Sequence, residues 1–391
     1  MTLARRLWQR RRDLLPMNGF HFDRPLVLFQ SDDWGRVGLH DQEGLQQLRA
    51  RRLGLGERPY DFYTLETAED LAGLSAVLKR HRDAGGRHPC IEMNFVVSNL
   101  DFGKMSSESF QQIHLLSLAK GLPAGWSRPG LMEAYRKGIK DGVFQPALHG
   151  MTHFCRSAVE RNARANGQRA DLLRSLWEAS TPYIYWRMPW IGYEYWDPEK
   201  PEGEQFLSAE AQRELIGQTV GAFAKLFATL PHSACAPGYR ANHDTHNAWA
   251  QHGIRVVQNG SGSPFPPHFD RNNILHLSRT VDFEPIDANF SVEACLRQAE
   301  GCFERGIPVI VSTHSINFHS TVQDFRSRTL QHLEEFLTAL ESRHADLLYL
   351  HDEDLDDLVR NGFYKTAEGT QRPRVTNKKF TKAKMSSLRK A

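Results

Sequence analysis

The chain alternates short apolar runs with longer stretches striped at helical spacing. Pro25-Leu26-Val27-Leu28-Phe29 is an unbroken apolar run, the pattern of a strand buried on both faces. Thr67–Arg82 follows as a helix with Leu71, Leu74, Val77 and Leu78 on one stripe. Cys90–Val97 and Val143–Leu148 read as the next strands. Ser107–Lys120 and Pro129–Lys140 read as helices between them, Pro129 being suited to a first turn. Residues 156–230 are mainly helical and are interrupted by one aromatic segment; Ser208 caps the helix that runs to Leu230. Ala234–Ala236, Ile254–Gln258, Ile274–Phe283 and Ile307–Ser312 supply further strands, with Ser291 opening the helix before the last of them. Thr321-Val322-Gln323-Asp324 reads as a capping box for a helix to about Arg343. Leu347–Leu350 and Asp354–Arg360 are a final strand and short helix. Repeated strand–helix alternation predicts an α/β fold with a parallel sheet or barrel.

Composition narrows the picture. The 391 residues are 40% hydrophobic and 24% charged, ordinary for a globular protein, and the net charge of +3 gives no global field for nucleic acid. Cys90, Cys155, Cys235, Cys295 and Cys302 form no Cys-x-x-Cys pair, which fits a reduced compartment. Residues 1–20 are basic through Arg5, Arg6, Arg10, Arg11 and Arg12, interleaved with Leu3, Leu7, Trp8, Leu14 and Leu15. That segment lacks the apolar core of an export signal and suits either a helix packed on its own domain or peripheral contact with an anionic membrane surface. No stretch approaches the roughly 18 apolar residues of a membrane span. The expected location is therefore cytoplasmic, at most peripheral to the inner face of the membrane. Residues 21–363 are expected to form one domain with a helical and aromatic insertion at about 156–230. Residues 364–391 read as a polar, basic, disordered tail.

Candidate chemistry gathers where strands end. Asp32 and Asp33 follow the first strand, at the end where β/α barrels carry their active sites. His149 and His153 follow the third, spaced so that a helix starting there would turn both to one side, as two ligands of a tetrahedral metal require. Pro237-Gly238-Tyr239 forces a turn after a later strand, and His314 sits at the mouth of Val309–Thr313. Singly, each has a plain reading: a solvated turn, a chance pair among eighteen histidines, a loop, a structural imidazole. Two imidazoles and one carboxylate leave a coordination position for water on zinc, and a second carboxylate beside it can take a proton.

Taken in order, these four segments resemble the polysaccharide deacetylase (NodB-homology) family of carbohydrate esterases, in an uncharacterised branch whose first motif reads Asp-Asp-Trp. The resemblance spans roughly Leu26 to Leu358. It implies a deformed (β/α) barrel of about seven parallel strands, with helical insertions. It implies Asp33, His149 and His153 as ligands of a divalent metal, most often zinc, and Asp32 as the general base toward the attacking water. It further implies the Tyr239 backbone N–H as an oxyanion donor and His314 as the acid for the leaving group. Trp34, Arg187, Trp190, Pro237 and Arg240 are the expected substrate contacts.

The chain departs from the family pattern in three places. Ala236 stands where the family has an Arg that orients the base, with Arg240 and Arg187 as candidate substitutes. The Asp-x-x-Asp-Trp motif that tunes the acid is absent, with Asp282, Glu284 and Asp324 as candidates. Trp34 replaces a small residue and would narrow the pocket.

Tyr183, Tyr185, Trp186, Trp190, Tyr193, Tyr195 and Trp196 crowd around Pro189 and Gly192 without helical or strand periodicity. Flat rings with polar tips suit sugar faces, and their place between two site motifs puts them at the rim of the mouth that holds Asp32. The expected function is metal-dependent removal of N- or O-linked acetyl groups from a sugar or glycan precursor. The alternative is a catalytically inactive deacetylase-fold protein that binds glycan in cell-surface polysaccharide biosynthesis. A glycosidase is disfavoured because adjacent carboxylates are poorly placed to flank a bond from opposite faces.

Overall fold

A computed structural model describes residues 17–51, 55–110, 112–184, 187–261, 264–367 and 369–380. The basic segment before Met17 and the last residues from Thr381 lie outside the described residues.

The main sheet is built from β1 (Leu26–Trp34), β2 (Ile91–Val96), β3 (Phe144–Gly150), β4 (Ser233–Ala234), β5 (Val256–Asn259), β6 (Leu275–Ser278), β7 (Val281–Asp282), β8 (Val309–His314) and β9 (Leu348–Tyr349). Its order is β7-β8-β1-β2-β3-β4-β5-β6, with β9 beside β1 and a short antiparallel strand, His268–Phe269, beside β6. The other pairings are parallel. Closure comes from one continuous stretch. Leu275 to Ser278 pair with Val256 to Asn259, whereas Val281 and Asp282 pair with Val311 and Ser312. The sequence reads Ile274–Phe283 as a single strand; in the structure it changes partners at Arg279 and Thr280 and so joins the two ends of the sheet. The result is a deformed (β/α) barrel.

The barrel interior follows from strand alternation. Leu26 and Leu28 join Val256, Leu275, Leu277, Ile310 and Leu348 in one buried cluster with Leu355 and Leu358 of the last helix. The alternate residues Val27, Phe29, Ile91, Met93, Val257, Val309 and Val311 pack in a second cluster against the outer helices. Those helices include α1 (Gln42–Ala50), α2 (Ala68–Leu78), α3 (Leu131–Lys140), α6 (Ala209–Phe227), α7 (His243–Gln251), α8 (Val292–Glu304) and α9 (Arg326–Arg343); α10 (Asp352–Asn361) closes the chain of βα units. The insertion contributes α4 (Arg156–Arg164) and α5 (Gln168–Glu178). Ser208 and Ser291 cap α6 and α8, accepting from the N–H groups of Ala211 and Ala294. No helix of the described residues is long and apolar enough to cross a membrane.

Three local expectations are corrected. The helix expected over Ser107–Lys120 ends at Ser107, where Ser109 and Phe110 turn to positive φ, and Leu115–Ser117 instead pairs with Ser98–Leu100. Thr321 does not cap α9; Asp324 accepts from the Ser327 N–H at 3.1 Å, one turn later. The polar tail expected from residue 364 carries paired strands among its described residues. Tyr364–Thr366 pairs with Gly369–Gln371, and Val375–Phe380 pairs antiparallel with Met17–Phe22, a distant partner that local composition cannot reveal.

Leu277 is fully buried in the inner cluster. Leu277→Ala is expected to lower the unfolding free energy by about 2–5 kcal/mol, read as a fall in the urea midpoint at unchanged m-value.

Candidate active site

Alternation carries Leu26, Leu28, Gln30 and Asp32 to the barrel interior, so Asp32 arrives at the top of the barrel by strand geometry alone. Asp33 would then point outward. It does not, because its φ is 75° and the β1–β2 register shifts between Ser31 and Trp34. A non-glycine residue in that region costs on the order of 1–3 kcal/mol and persists only where neighbours hold it. Here the Tyr63 hydroxyl donates to the Asp33 carbonyl at 2.6 Å, with Ser315 Oγ at 3.3 Å. The kink places both carboxylates on one face.

His149 and His153 also converge, though not on a helix as expected. His149 is the penultimate residue of β3, residues 151–155 form a loop, and α4 starts only at Arg156. The Glu194 carboxylate holds that loop, accepting from the N–H groups of Met151 at 2.6 Å and Thr152 at 3.1 Å. A Cβ on Gly150 would sit 2.3 Å from Glu194 Oε2, so only glycine fits there. Burial pushes the Glu194 carboxyl up to about 7.

The Nε2 atoms of His149 and His153 lie 3.6 and 3.4 Å from Asp33 Oδ1. The three ligand atoms lie within 4.8 Å of one another. These separations exceed a good hydrogen bond and suit three groups sharing one cation at about 2.0–2.2 Å each. Asp33 Oδ1 is buried and has no hydrogen-bond partner, which fits an oxygen that ligates a cation. His149 Nδ1 lies 2.9 Å from the Cys235 carbonyl, as an N–H donor would, leaving Nε2 with its lone pair toward Asp33. Burial lowers His153 to about 3, so it is neutral, as a metal ligand must be. Asp33 is held well below the usual carboxylate range: burial opposes its charge, but Arg36 and the two imidazoles outweigh burial. Asp32, His149 and Cys235 also lie close together, but burial raises the Cys235 thiol well above its ordinary value and Asp32 is already bound by an arginine. The residues therefore fit a divalent metal at Asp33, His149 and His153.

The arginine that holds Asp32 is neither Arg240 nor Arg187 but Arg279, fully buried at the strand switch. Its Nη1 donates to Asp32 Oδ2 at 2.7 Å and its Nη2 to Oδ1. Nη1 also reaches the Tyr239 hydroxyl at 2.7 Å, Nη2 reaches Gln258 Oε1 at 3.1 Å, and Nε reaches Gln30 Oε1 at 3.3 Å. Asn94 Nδ2 adds a bond to Asp32 Oδ1 at 2.7 Å. Burial works against the Asp32 charge, but Arg279 outweighs it and keeps the carboxyl below its usual range.

His314 stands beside Asp32 on the neighbouring strand, with Nε2 3.8 Å from Asp32 Oδ2 and Nδ1 2.7 Å from Glu284 Oε1. Of the three candidate carboxylates, Glu284 is the one in contact. Burial opposes the imidazolium, yet Glu284 prevails and raises His314 to about 9. A cavity of about 270 Å³ is lined by Asp32, Asp33, His149, His153, Tyr239 and His314, together with Tyr60 and Tyr193. Tyr60 carries no sequence signal; it stands edge-on to His314 at 6.1 Å.

Other expected contacts fall elsewhere. Trp34 does not narrow the pocket: it is fully buried and stacked on Phe318 at 5.9 Å. Arg187 is engaged by Asp61 through two bonds of 2.9 Å. Trp190 lies under Arg169, Pro237 is buried, and Arg240 stands over Trp196 beside a neighbouring cavity. The Tyr239 N–H donates to the Ala236 carbonyl at 2.8 Å, so the expected backbone donor is committed within its own turn. Tyr239 reaches the site through its hydroxyl, 3.3 Å from Asp32 Oδ2. Of the aromatic segment, Tyr193 reaches the rim of the Asp32 cavity, Tyr195 is core, and Tyr185 and Trp186 lie outside the described residues.

No family model and no curated protein matches the sequence. Solved structures do. A protein described as a glycoside hydrolase/deacetylase from Parabacteroides distasonis aligns with TM-score 0.50 and 11% identity, over 89% of this chain and 74% of that chain. One described as a polysaccharide deacetylase from Mycobacterium smegmatis aligns with TM-score 0.44 and 12% identity, over 86% and 91%. A CE4-family pseudoenzyme from Bacillus anthracis aligns with TM-score 0.38 and 11% identity, over 86% and 67%. At such identities the likeness is one of fold: the chain shares the deformed barrel of the protein described as a glycoside hydrolase/deacetylase.

Glu194→Ala is expected to weaken zinc binding roughly 10–100-fold, the usual cost of losing a group that orients ligands. A chelator-competition titration of the folded variant measures it.

Proposed function

We propose that the chain is a metal-dependent hydrolase that removes N- or O-linked acetyl groups from a carbohydrate or glycan precursor. The observation that carries this reading is the division of labour around one cavity. Asp33, His149 and His153 converge there, Asp32 is held by Arg279, and His314 is held by Glu284. A divalent metal at those three residues, zinc being the ion their donor set suits best, would supply Lewis-acid activation of water and of the acyl oxygen.

The chain's own residues do the rest. Asp32, fixed by two Arg279 bonds and lining the cavity, accepts the proton of the attacking water. His314, kept protonated by Glu284, donates to the departing nitrogen or oxygen from the wall of the same cavity. Tyr239 steadies the base through its hydroxyl.

A second reading, a glycan-binding barrel without turnover, is favoured by one observation: the Tyr239 N–H is already bonded to Ala236. Acetate release from a panel of acetylated oligosaccharides, after chelation and after zinc is restored, separates the two. Release that disappears with chelation and returns with zinc is expected; none under either condition favours the binding reading.

His314→Ala is expected to lower kcat about a hundredfold or more while leaving zinc affinity unchanged. Loss of zinc binding in that variant would make His314 a ligand instead.

The pH profile carries a further expectation. A group raised to about 9 in the folded protein is protonated throughout the neutral range and loses its proton as pH rises through 9. The alkaline limb of kcat/KM therefore falls near 9 in the native chain. In Glu284→Gln, which removes the raising charge, that limb moves to lower pH.

A further inference from the structure

Beside the active-site cavity lies a second one of about 260 Å³, walled by Met188, Pro189, Pro198, Tyr193 and Trp196, with Arg240 at its edge. Tyr193 lines both cavities. Its ring stands 5.9 Å from His153 and 6.0 Å from Trp196. It fits there because Gly238 has no side chain; a Cβ at that position would come within 2.2 Å of the ring. Each cavity is near the lower end of the roughly 300–1,000 Å³ of ligand clefts, the size for one sugar ring each.

The wall is built, not incidental. Tyr193 and Trp196 exchange backbone bonds of 2.9 and 2.7 Å in a tight turn. Asp197 then anchors the turn to Arg161 through bonds of 2.8 and 3.0 Å. Glu194, in the same turn, holds the loop that carries His153. The spacing between the second cavity and the metal-binding residues is thereby fixed by rigid contacts.

Arg240 supplies the chemistry. Its guanidinium lies over the Trp196 ring at 4.8 Å and its side chain is exposed. Neighbouring arginines are neutralised: Arg161 by Asp197 and Glu199, Arg169 by Glu199, Arg187 by Asp61. Among the described residues Arg240 has no carboxylate partner. A guanidinium held over an aromatic ring with no carboxylate partner is placed to receive a carboxylate or phosphate in two parallel bonds.

We propose that this second cavity is a subsite for an acidic sugar residue next to the acetylated one, its ring against Tyr193 and Trp196 and its anionic group on Arg240. The acetylated neighbour in the first cavity rests on the deacetylase reading; binding of the acidic sugar does not. The substrate class is then an anionic glycan, either uronate-bearing or phosphorylated.

Calorimetry on the full chain tests this with probes that carry no acetyl group. The probes are a glucuronic-acid-containing disaccharide, its carboxyl-reduced neutral counterpart, and a hexose phosphate. At low salt the uronate or the phosphate probe should bind about tenfold or more tightly than the neutral sugar, and which does so identifies the anion. Arg240→Gln should bring charged and neutral probes to within about threefold, and Arg240→Lys, which keeps charge but loses the planar fork, should fall between. Equal affinity for all probes, no binding of any, or a charge preference that survives Arg240→Gln overturns the proposal. A preserved preference with no acetate release from any substrate supports the subsite and overturns the hydrolase reading alone.

Discussion

The buried pair of Arg279 and Asp32 is the interaction on which this barrel turns. Both side chains are almost wholly out of water, 0% and 4% exposed. Burying two charges costs several kcal/mol each unless attraction and hydrogen bonds replace their hydration. Here the replacement is nearly complete: Gln30, Gln258, Tyr239 and Ser312 take up guanidinium donors that Asp32 does not. Gln30 and Gln258 are themselves held by Asp352 at the start of the last helix, through bonds of 2.8 and 2.7 Å. Arg279 also stands where the chain leaves its pairing with β5 and crosses to pair with β8. Closing the barrel and aiming the carboxylate are therefore one event, and a slip in the register of β6 would strand both charges.

That coupling explains what the sequence could and could not disclose. Strand positions, the caps Ser208 and Ser291, and the two carboxylates at the end of the first strand were readable because they depend on local pattern. Asp32 in particular follows from counting in twos from Leu26. Asp33 does not, since its inward turn depends on a positive φ held by Tyr63 and Ser315, residues far along the chain. The histidine spacing points to the pair through a helix, yet a loop pinned by Glu194 brings the rings together. Arg279 was invisible because Ile274–Phe283 reads as one uniform strand, and the partner lies 247 residues away. Glu284 was one candidate among three, and only the fold brings it to His314.

The insertion shows the same economy. Its aromatic turn was noticed for composition, yet composition could not separate the core ring Tyr195 from the rim rings Tyr193 and Trp196. Gly192 and Gly238 decide that division: both have positive φ, and a Cβ at either would strike the turn, at the Trp196 carbonyl or the Tyr193 ring. One carboxylate in that turn steadies the loop that carries His153 and another ties the turn to α4.

The second carboxylate of the Asp-Asp pair has its own arginine, and the contrast with the first is instructive. Arg279 takes both oxygens of Asp32. Arg36 takes only Oδ2 of Asp33, at 3.1 Å, while its guanidinium lies over the Tyr63 ring at 3.7 Å and bonds the Tyr183 hydroxyl. Oδ1 is left facing two imidazoles with no hydrogen bond. The two adjacent residues have the same chemistry and nearly the same burial, but their arginines assign them different work. A carboxylate clasped on both oxygens is held in one orientation beside the cavity, as the proposed base requires. One clasped on a single oxygen keeps its charge balanced in the folded chain and still offers a lone pair to a cation. The backbone kink at Asp33 then has a purpose that packing alone would not supply: it turns that uncommitted oxygen toward His149 and His153.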